Sequence, residues 1–139
     1  MTERRADITV RSVITDLSEN GTPDGEEIEE FTTTAAVKQS GGLTHISYRE
    51  AGEGGAVVCG ITVGPSGVHV RRRGAVVTDM HFGTADFSGI YEIPPYRFDM
   101  RIRTEKIRNE LTPDGGRLDL FYLLTVGGAP KRVHFLIRY

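Results

Sequence analysis

Cysteine and tryptophan are nearly missing from this chain: its 139 residues include Cys59 alone and no tryptophan. One cysteine excludes an intrachain disulfide bond. Nothing in the sequence approaches the ~20 consecutive apolar residues that a membrane-spanning helix needs. Residues 1–7 are mostly charged, whereas a secretory signal has an apolar centre. We therefore expect a reducing, cytoplasmic setting and no association with a membrane.

Motifs for nucleophilic catalysis, phosphate binding and zinc binding are also missing. The sequence has no G-x-S-x-G turn and no G-x-x-x-x-G-K-[ST] loop, and its histidines and cysteine lack the short spacing of a zinc site. Each histidine alternates with large apolar neighbours, which predicts that all four point outward, away from a core: His45, His69, His81 and His134. The sequence predicts no catalytic residues, metal or cofactor, and it favours a binding protein over an enzyme.

Charge is unevenly distributed along the chain, although the net charge is only −2. Residues 1–70 contain five basic and eleven acidic side chains, whereas residues 71–139 contain twelve basic and eight acidic ones. In one compact domain such halves lie side by side and neutralise each other. The overall pI of 6.1 is far below the value above ~9 that is typical of nucleic-acid-binding domains. We do not expect a nucleic-acid partner.

Ten short runs of alternating apolar and polar residues fill the chain from Ile8 to Tyr139, and turn residues end each run. This pattern predicts β-strands joined by tight turns. Because short connections join antiparallel neighbours, we expect a single domain, residues 1–139, folded as an up-and-down barrel of about eight to ten strands. A sandwich of two sheets is the alternative.

The alternation also predicts which side chains line the interior of the barrel. Phe98, Leu120 and Phe135 fall on the apolar face of their strands. Later in the strand that holds Phe98, the apolar phase changes from even to odd residue numbers. One extra residue near 104–106, a β-bulge, accounts for this change. A short helix over 104–111 is the competing interpretation.

Arg72 breaks the apolar pattern, because it shares its phase with Val68 and Val70. Its guanidinium is therefore predicted to point inward, where burial without a partner costs several kcal/mol. Together with the inward hydroxyls of Tyr48 and Tyr91, it would form the polar end of an apolar cavity. We expect these three residues to bind a small apolar or anionic ligand. An arginine at the rim, or in an internal ion pair, is the alternative.

A second hypothesis concerns the outer face of the last hairpin. Phe121, Leu123 and Leu136 are predicted to lie there, opposite the core-facing residues of the same strands. Apolar patches on an outer surface commonly mark contacts between proteins. The alternative function is therefore a protein-interaction or self-assembling barrel, such as a homodimer, with a filled core and no small ligand.

Several motifs, taken in their order along the chain, resemble a known family. They are ISYRE (46–50), VHVRRRG (68–74), MHF (80–82), GIYEIP (89–94) and PDGG (113–116). In order and spacing they resemble the bacterial YwiB-like proteins, a family of unknown function, over nearly the whole chain. The resemblance implies a calycin-type, lipocalin-like β-barrel in a small cytoplasmic protein. It brings no established activity, cofactor or site residues.

Overall fold

The computed structural model describes residues 2–52 and 54–139, which form ten antiparallel strands. Each strand pairs with the next along the chain, and β1 pairs with β10, so that the sheet closes into a barrel. The strands are β1 (Thr2–Leu17), β2 (Pro23–Ser40), β3 (Leu43–Gly52), β4 (Gly55–Gly64), β5 (Gly67–Gly74), β6 (Val77–Phe82), β7 (Phe87–Ile93), β8 (Tyr96–Asn109), β9 (Arg117–Val126) and β10 (Ala129–Arg138). The predicted all-β, up-and-down barrel is confirmed, and the two-sheet sandwich is wrong.

The segment with the phase change is a strand with a bulge. β8 continues through residues 104–109, and its register with β9 shifts between Thr104 and Lys106. The predicted bulge is confirmed, and the competing helix over 104–111 is wrong. Within the described residues, no helix has the length and apolar character required to cross a membrane.

Buried apolar side chains from nine of the ten strands fill the interior of the barrel in the described part of the chain. β7 contributes Phe87 and Tyr91, which pack against this core but are only partly buried. Leu120 is fully buried and Phe135 packs against the core, as the alternation predicts. Phe98 was predicted to be buried as well, but 39% of its surface is exposed.

The exposure of Phe98 follows from strand lengths rather than from its phase. The β8–β9 ladder starts at the pair Met100–Val126, and β9 ends there in a glycine turn. Asp99 still contacts this turn, since its carbonyl oxygen accepts a hydrogen bond from the N–H of Gly127 at 2.9 Å, and residues 96–98 of β8 extend beyond the ladder. We call this end of the barrel the mouth; the turns β1–β2, β3–β4, β5–β6, β7–β8 and β9–β10 all lie there.

One of these turns requires glycine for a close backbone approach. Gly74 ends β5 with a φ of +137°, and a Cβ at this position would overlap the carbonyl oxygen of Ala56. The β5 chain therefore lies directly against the start of β4. This contact fixes the position of Arg72, two residues earlier, relative to the mouth.

Candidate functional site

Five inward-facing residues form a continuous row across neighbouring strands just below the mouth. The register places Tyr48 of β3 opposite Cys59, Cys59 opposite Arg72, Arg72 opposite Thr78, and Thr78 opposite Tyr91 of β7. We call these residues the polar row. The structure thus brings together the three residues predicted from the sequence, Tyr48, Arg72 and Tyr91, on one part of the inner wall. Their binding of a ligand stays a prediction.

Arg72 is held by an ion pair with Glu50. Its Nη2 donates a hydrogen bond to Oε2 of Glu50 at 3.0 Å, and the two side chains are 22% and 23% exposed. Burial lowers the pKa of Arg72, but the Glu50 carboxylate and the nearby Tyr91 raise it by more, so that the guanidinium stays charged. The internal ion pair that the sequence left open as an alternative is therefore present, at the mouth.

Sequence reasoning missed Glu50 as the partner. A signal was available, because Glu50 shares its phase with Ile46 and Tyr48 on β3 and so continues their inward face. A glutamate and an arginine that both fall on inward phases near glycine turns indicate an internal pair, since either charge alone would be costly to bury.

Tyr48, Cys59 and Thr78 add uncharged polar groups to the row. Burial raises the pKa of the Tyr48 hydroxyl well above its ordinary value, and burial likewise raises the pKa of the Cys59 thiol. Thr78 is buried, and its hydroxyl donates a hydrogen bond to the carbonyl oxygen of Ile90 at 3.1 Å. The row therefore offers one cation and several hydroxyl groups, with the carboxylate of Glu50 beside the cation.

Beneath the polar row the barrel is filled. The next inward row consists of Ile46, Ile61, Val70 and Met80, which lie opposite one another and are all buried. A ligand in contact with Arg72 would therefore sit in the mouth rather than in the middle of the barrel.

Exposed apolar side chains border the mouth next to Tyr91. Phe98 lies opposite Tyr91, and Ile93 lies opposite Tyr96 in the β7–β8 hairpin, all on the inward-facing register. Ile93, Tyr96 and Phe98 are 45%, 66% and 39% exposed. We call these three residues the apolar lip. Large apolar groups that remain exposed beside a partly buried charge are typical of a binding surface.

A gap in the β2–β3 ladder lies beside the polar row. β2 pairs with β3 only from Ala36 onward, so the end of β3 around Tyr48 has no β2 partner in the described residues. The ring of Phe31, on the inner face of β2, covers this gap and lies 6.1 Å from the Tyr48 ring, centroid to centroid. Phe31 therefore separates the polar row from solvent on this side.

The outer face of β9 and β10 carries a buried carboxylate that the sequence did not predict. Asp119 is fully buried although it faces outward, opposite Leu136. Arg117 donates two hydrogen bonds to it, both of 2.8 Å, and Nε2 of His134 lies 2.7 Å from its Oδ1. These contacts lower the pKa of Asp119, the Arg117 hydrogen bonds most. The sequence did contain a signal for this pair, because Arg117 lies two residues before Asp119 on the same face of β9.

The Asp119 cluster reduces the solvent exposure of the outer apolar patch that the sequence predicted. Leu136 was expected to be exposed, but only 8% of its surface is, because it sits between the Asp119 cluster and Arg11 of β1. The ring of Phe121 stacks on His134 with centroids 4.1 Å apart. The patch is therefore largely covered by its own neighbours. Homodimer formation through Phe121, Leu123 and Leu136 stays a prediction.

The histidines lie on the outer wall, as predicted. His69 and His81 face each other across β5 and β6 and stack with centroids 4.2 Å apart, and Nε2 of His69 lies 3.3 Å from Oδ1 of Asp79. Across the described ranges, no three side chains of histidine, cysteine, aspartate or glutamate are grouped so that they could hold a metal ion.

Two surface depressions lie away from the polar row. One, of about 410 Å³, is on the outer wall near the opposite end of the barrel, between residues such as Asp7, Glu110 and Arg138. Another, of about 390 Å³, surrounds the β2–β3 turn, residues 39–44. Neither is lined by any residue of the polar row, so neither extends the candidate site.

The protein is a closed ten-stranded antiparallel barrel, and at its mouth a polar row lies beneath an apolar lip. Comparison with known proteins shows its family. A model described as "Domain of unknown function (DUF1934)" matches residues 8–136, and the chain belongs to this family. The family resemblance predicted from the motifs is thereby confirmed.

Two comparisons agree with this assignment. The chain is 29% identical over 127 residues to the "Uncharacterized beta-barrel protein YwiB" of Bacillus subtilis (strain 168), covering 90% of this chain and 84% of that protein. The crystal structure of the ywiB protein from Bacillus subtilis matches with a TM-score of 0.81 at 24% identity, over 98% of this chain and 92% of that one. At this identity the structural match shows the shared fold.

Proposed function

We propose that the protein binds a small amphipathic carboxylate in the mouth of the barrel. In this arrangement the carboxylate contacts Arg72, and the apolar body lies on the apolar lip. The observation that carries the proposal is the position of a partly exposed, charged Arg72 beside exposed Ile93, Tyr96 and Phe98 on one inward-facing surface.

Arg72 has donors to spare for such a ligand. A guanidinium carries five N–H donors, and its contact with Glu50 is through Nη2. A ligand carboxylate would bind the remaining donors in a charge-assisted hydrogen bond, which is roughly twice as strong as a neutral one. The hydroxyl of Tyr91, in the same row, would donate to the same head group.

The apolar lip would supply most of the binding free energy. Burial of apolar surface is worth roughly 25 cal/mol per Å², and exposed acidic side chains at the mouth end of β2, such as Asp24, Glu26 and Glu27, oppose the approach of an anion. The ligand's carboxylate would therefore add selectivity through its direct contact with Arg72. Long-range electrostatic attraction would contribute little to binding.

Calorimetric titration with a medium-chain fatty acid and the fatty alcohol of the same length tests the proposal. We expect the acid to bind more tightly than the alcohol, and Arg72→Met to remove that difference while the alcohol still binds. Arg71→Met is the matched control, because Arg71 is an exposed neighbour on the outer wall. Equal binding of acid and alcohol, or an unchanged preference in Arg72→Met, would overturn the assignment of Arg72.

As part of this proposal the protein is a binding module of the cytoplasm rather than an enzyme. Its one cysteine is free and buried in the barrel, which suits a reducing compartment. Turnover of the bound fatty acid by the purified protein would contradict this part of the proposal; mass spectrometry of the recovered ligand would detect it.

A further inference from the structure

One edge of the sheet remains open beside the mouth. β2 pairs with β1 along its whole length, from Leu17–Pro23 to Thr2–Gln39, but its ladder with β3 begins only at Ala36. Among the described residues, no strand pairs with the other side of β2 over 23–35. Alternate backbone N–H and C=O groups of this segment therefore face away from the sheet. Such an edge is a template for a further strand.

The side chains along this edge are strongly acidic. Every residue from 23 to 30 is exposed, and the five carboxylates are Asp24, Glu26, Glu27, Glu29 and Glu30. Within the described part of the chain, one ion pair involves this group, between Glu30 and Arg11 at 3.7 Å. Ile28, which is 52% exposed, lies among them. The edge thus combines open backbone groups, a high negative charge and one apolar side chain.

The negative charge of the β2 edge determines which kind of strand can pair with it. If two copies of this chain paired through these edges, carboxylates would lie opposite or diagonal to carboxylates, which is destabilising in a sheet. A segment with lysine or arginine at alternate positions would place its cations beside these carboxylates on the same face. An apolar residue between the cations would cover Ile28.

We propose that the β2 edge, residues 23–35, binds an extended basic segment of a partner protein as an added strand. Main-chain hydrogen bonds to the edge would provide affinity, and the carboxylates would provide the choice of partner, as in other cases of strand addition. The proposed contacts are with the backbone and carboxylates of β2, whereas the small-molecule proposal rests on Arg72 and the apolar lip.

A synthetic peptide of alternating lysine and valine serves as the probe, with fluorescence anisotropy as the measurement. We expect binding that weakens as salt rises, and no binding of a peptide with glutamate in place of lysine. The double variant Glu27→Lys/Glu29→Lys should bind the basic peptide at least about tenfold more weakly, a loss of ~1.4 kcal/mol. Glu110→Lys/Asp114→Lys, at the opposite end of the barrel, is the control with the same change in net charge.

A second peptide separates strand addition from simple charge attraction. It has the same sequence but carries N-methyl groups on alternate backbone amides, so it keeps its charge and cannot pair along one edge. We expect it to bind much more weakly, and we expect the unmodified peptide to slow amide hydrogen exchange within residues 23–35. Equal binding of the two peptides, or equal binding by the two double variants, would overturn the proposal. No fatty acid is present in these measurements, so their outcome does not depend on the mouth site.

Discussion

Asp119 and His134 form a buried contact on the outside of the barrel, with 2.7 Å between Oδ1 and Nε2. Arg117 donates hydrogen bonds to both oxygens of the same carboxylate. A fully buried carboxylate on an outer wall is unusual, because most outward acids of a small barrel are solvated. Here neighbouring side chains replace the solvent, and the last hairpin is tied together on the face that does not contribute to the core.

Asp119→Asn should destabilise the protein near neutral pH. The change removes charge-assisted hydrogen bonds of a buried group, and we expect a loss of about 1.5–3 kcal/mol in the free energy of unfolding. Urea denaturation measures it. Asp114→Asn, at an exposed turn, is the control and should change little. An equal effect of the two substitutions would contradict the structural role of Asp119.

The same carboxylate predicts a loss of stability in acid. Its pKa is lowered in the folded protein by Arg117 and His134, so its stabilisation is present above the unfolded-state pKa of about 3.9 and disappears as the pH falls through the lower folded value. Between pH ~5 and ~2 the free energy of unfolding should therefore decrease more in the wild type than in Asp119→Asn. Parallel curves for the two proteins would show that Asp119 does not cause the decrease.

Glu50→Gln should have opposite effects on stability and on ligand binding. It removes the charge that neutralises a largely buried Arg72, and we expect a loss of about 1–3 kcal/mol in stability. It also frees the guanidinium from a competing carboxylate, so the fatty acid should bind several-fold more tightly. Calorimetry of the acid and the alcohol checks this; tighter binding of both ligands alike would contradict competition for Arg72.

Salt should strengthen the preference for the fatty acid. Carboxylates around the mouth repel an anion, and ions at ~0.15 M screen charges beyond about 8 Å, whereas the direct contact with Arg72 is screened less. We expect the ratio of acid to alcohol affinity to rise between low and physiological salt. The alcohol corrects for the effect of salt on apolar contacts. A falling ratio would mean that long-range attraction dominates.

Phe31→Ala should expose Cys59 to thiol reagents. Phe31 covers the gap between β2 and β3 beside Tyr48, and Cys59 lies opposite Tyr48 and is buried. Labelling of the single cysteine should accelerate severalfold. Val133→Ala, on β10, is the control, because it also weakens the core but leaves the gap covered. Equal acceleration in both variants would indicate global unfolding instead of a local opening.

Much of the fold was predictable because strand alternation and turn residues are local signals. The register bulge near Thr104 also leaves a trace in the sequence, since one extra residue reverses the phase of everything after it. The closure of the sheet follows once ten antiparallel strands are joined by short turns. Strand ends are less predictable: Phe98 has the phase of a core residue and is exposed because β9 stops short of it.

The candidate site was predictable in part for the same reason. An inward phase identified Tyr48, Arg72 and Tyr91 one by one, and the cross-strand register that aligns them is a property of the closed sheet. The burial of Asp119 depends on side chains from two strands that cover it. The open edge of β2 depends on where its ladder with β3 stops. The pattern of β9 shows that Arg117 can pair with Asp119, but the pattern of a single strand shows neither how deeply Asp119 is buried nor where the β2–β3 ladder ends.

The seam between β1 and β10 joins the two ends of the sequence. On a ribosome, the first strand is complete long before its partner has been synthesised, and it has no other neighbour on that side. The sheet therefore cannot close until β10 has been synthesised. The last step of folding then depends on contacts between residues that are far apart in the sequence. Until β10 is available, the unpaired edge of β1 can pair with other chains.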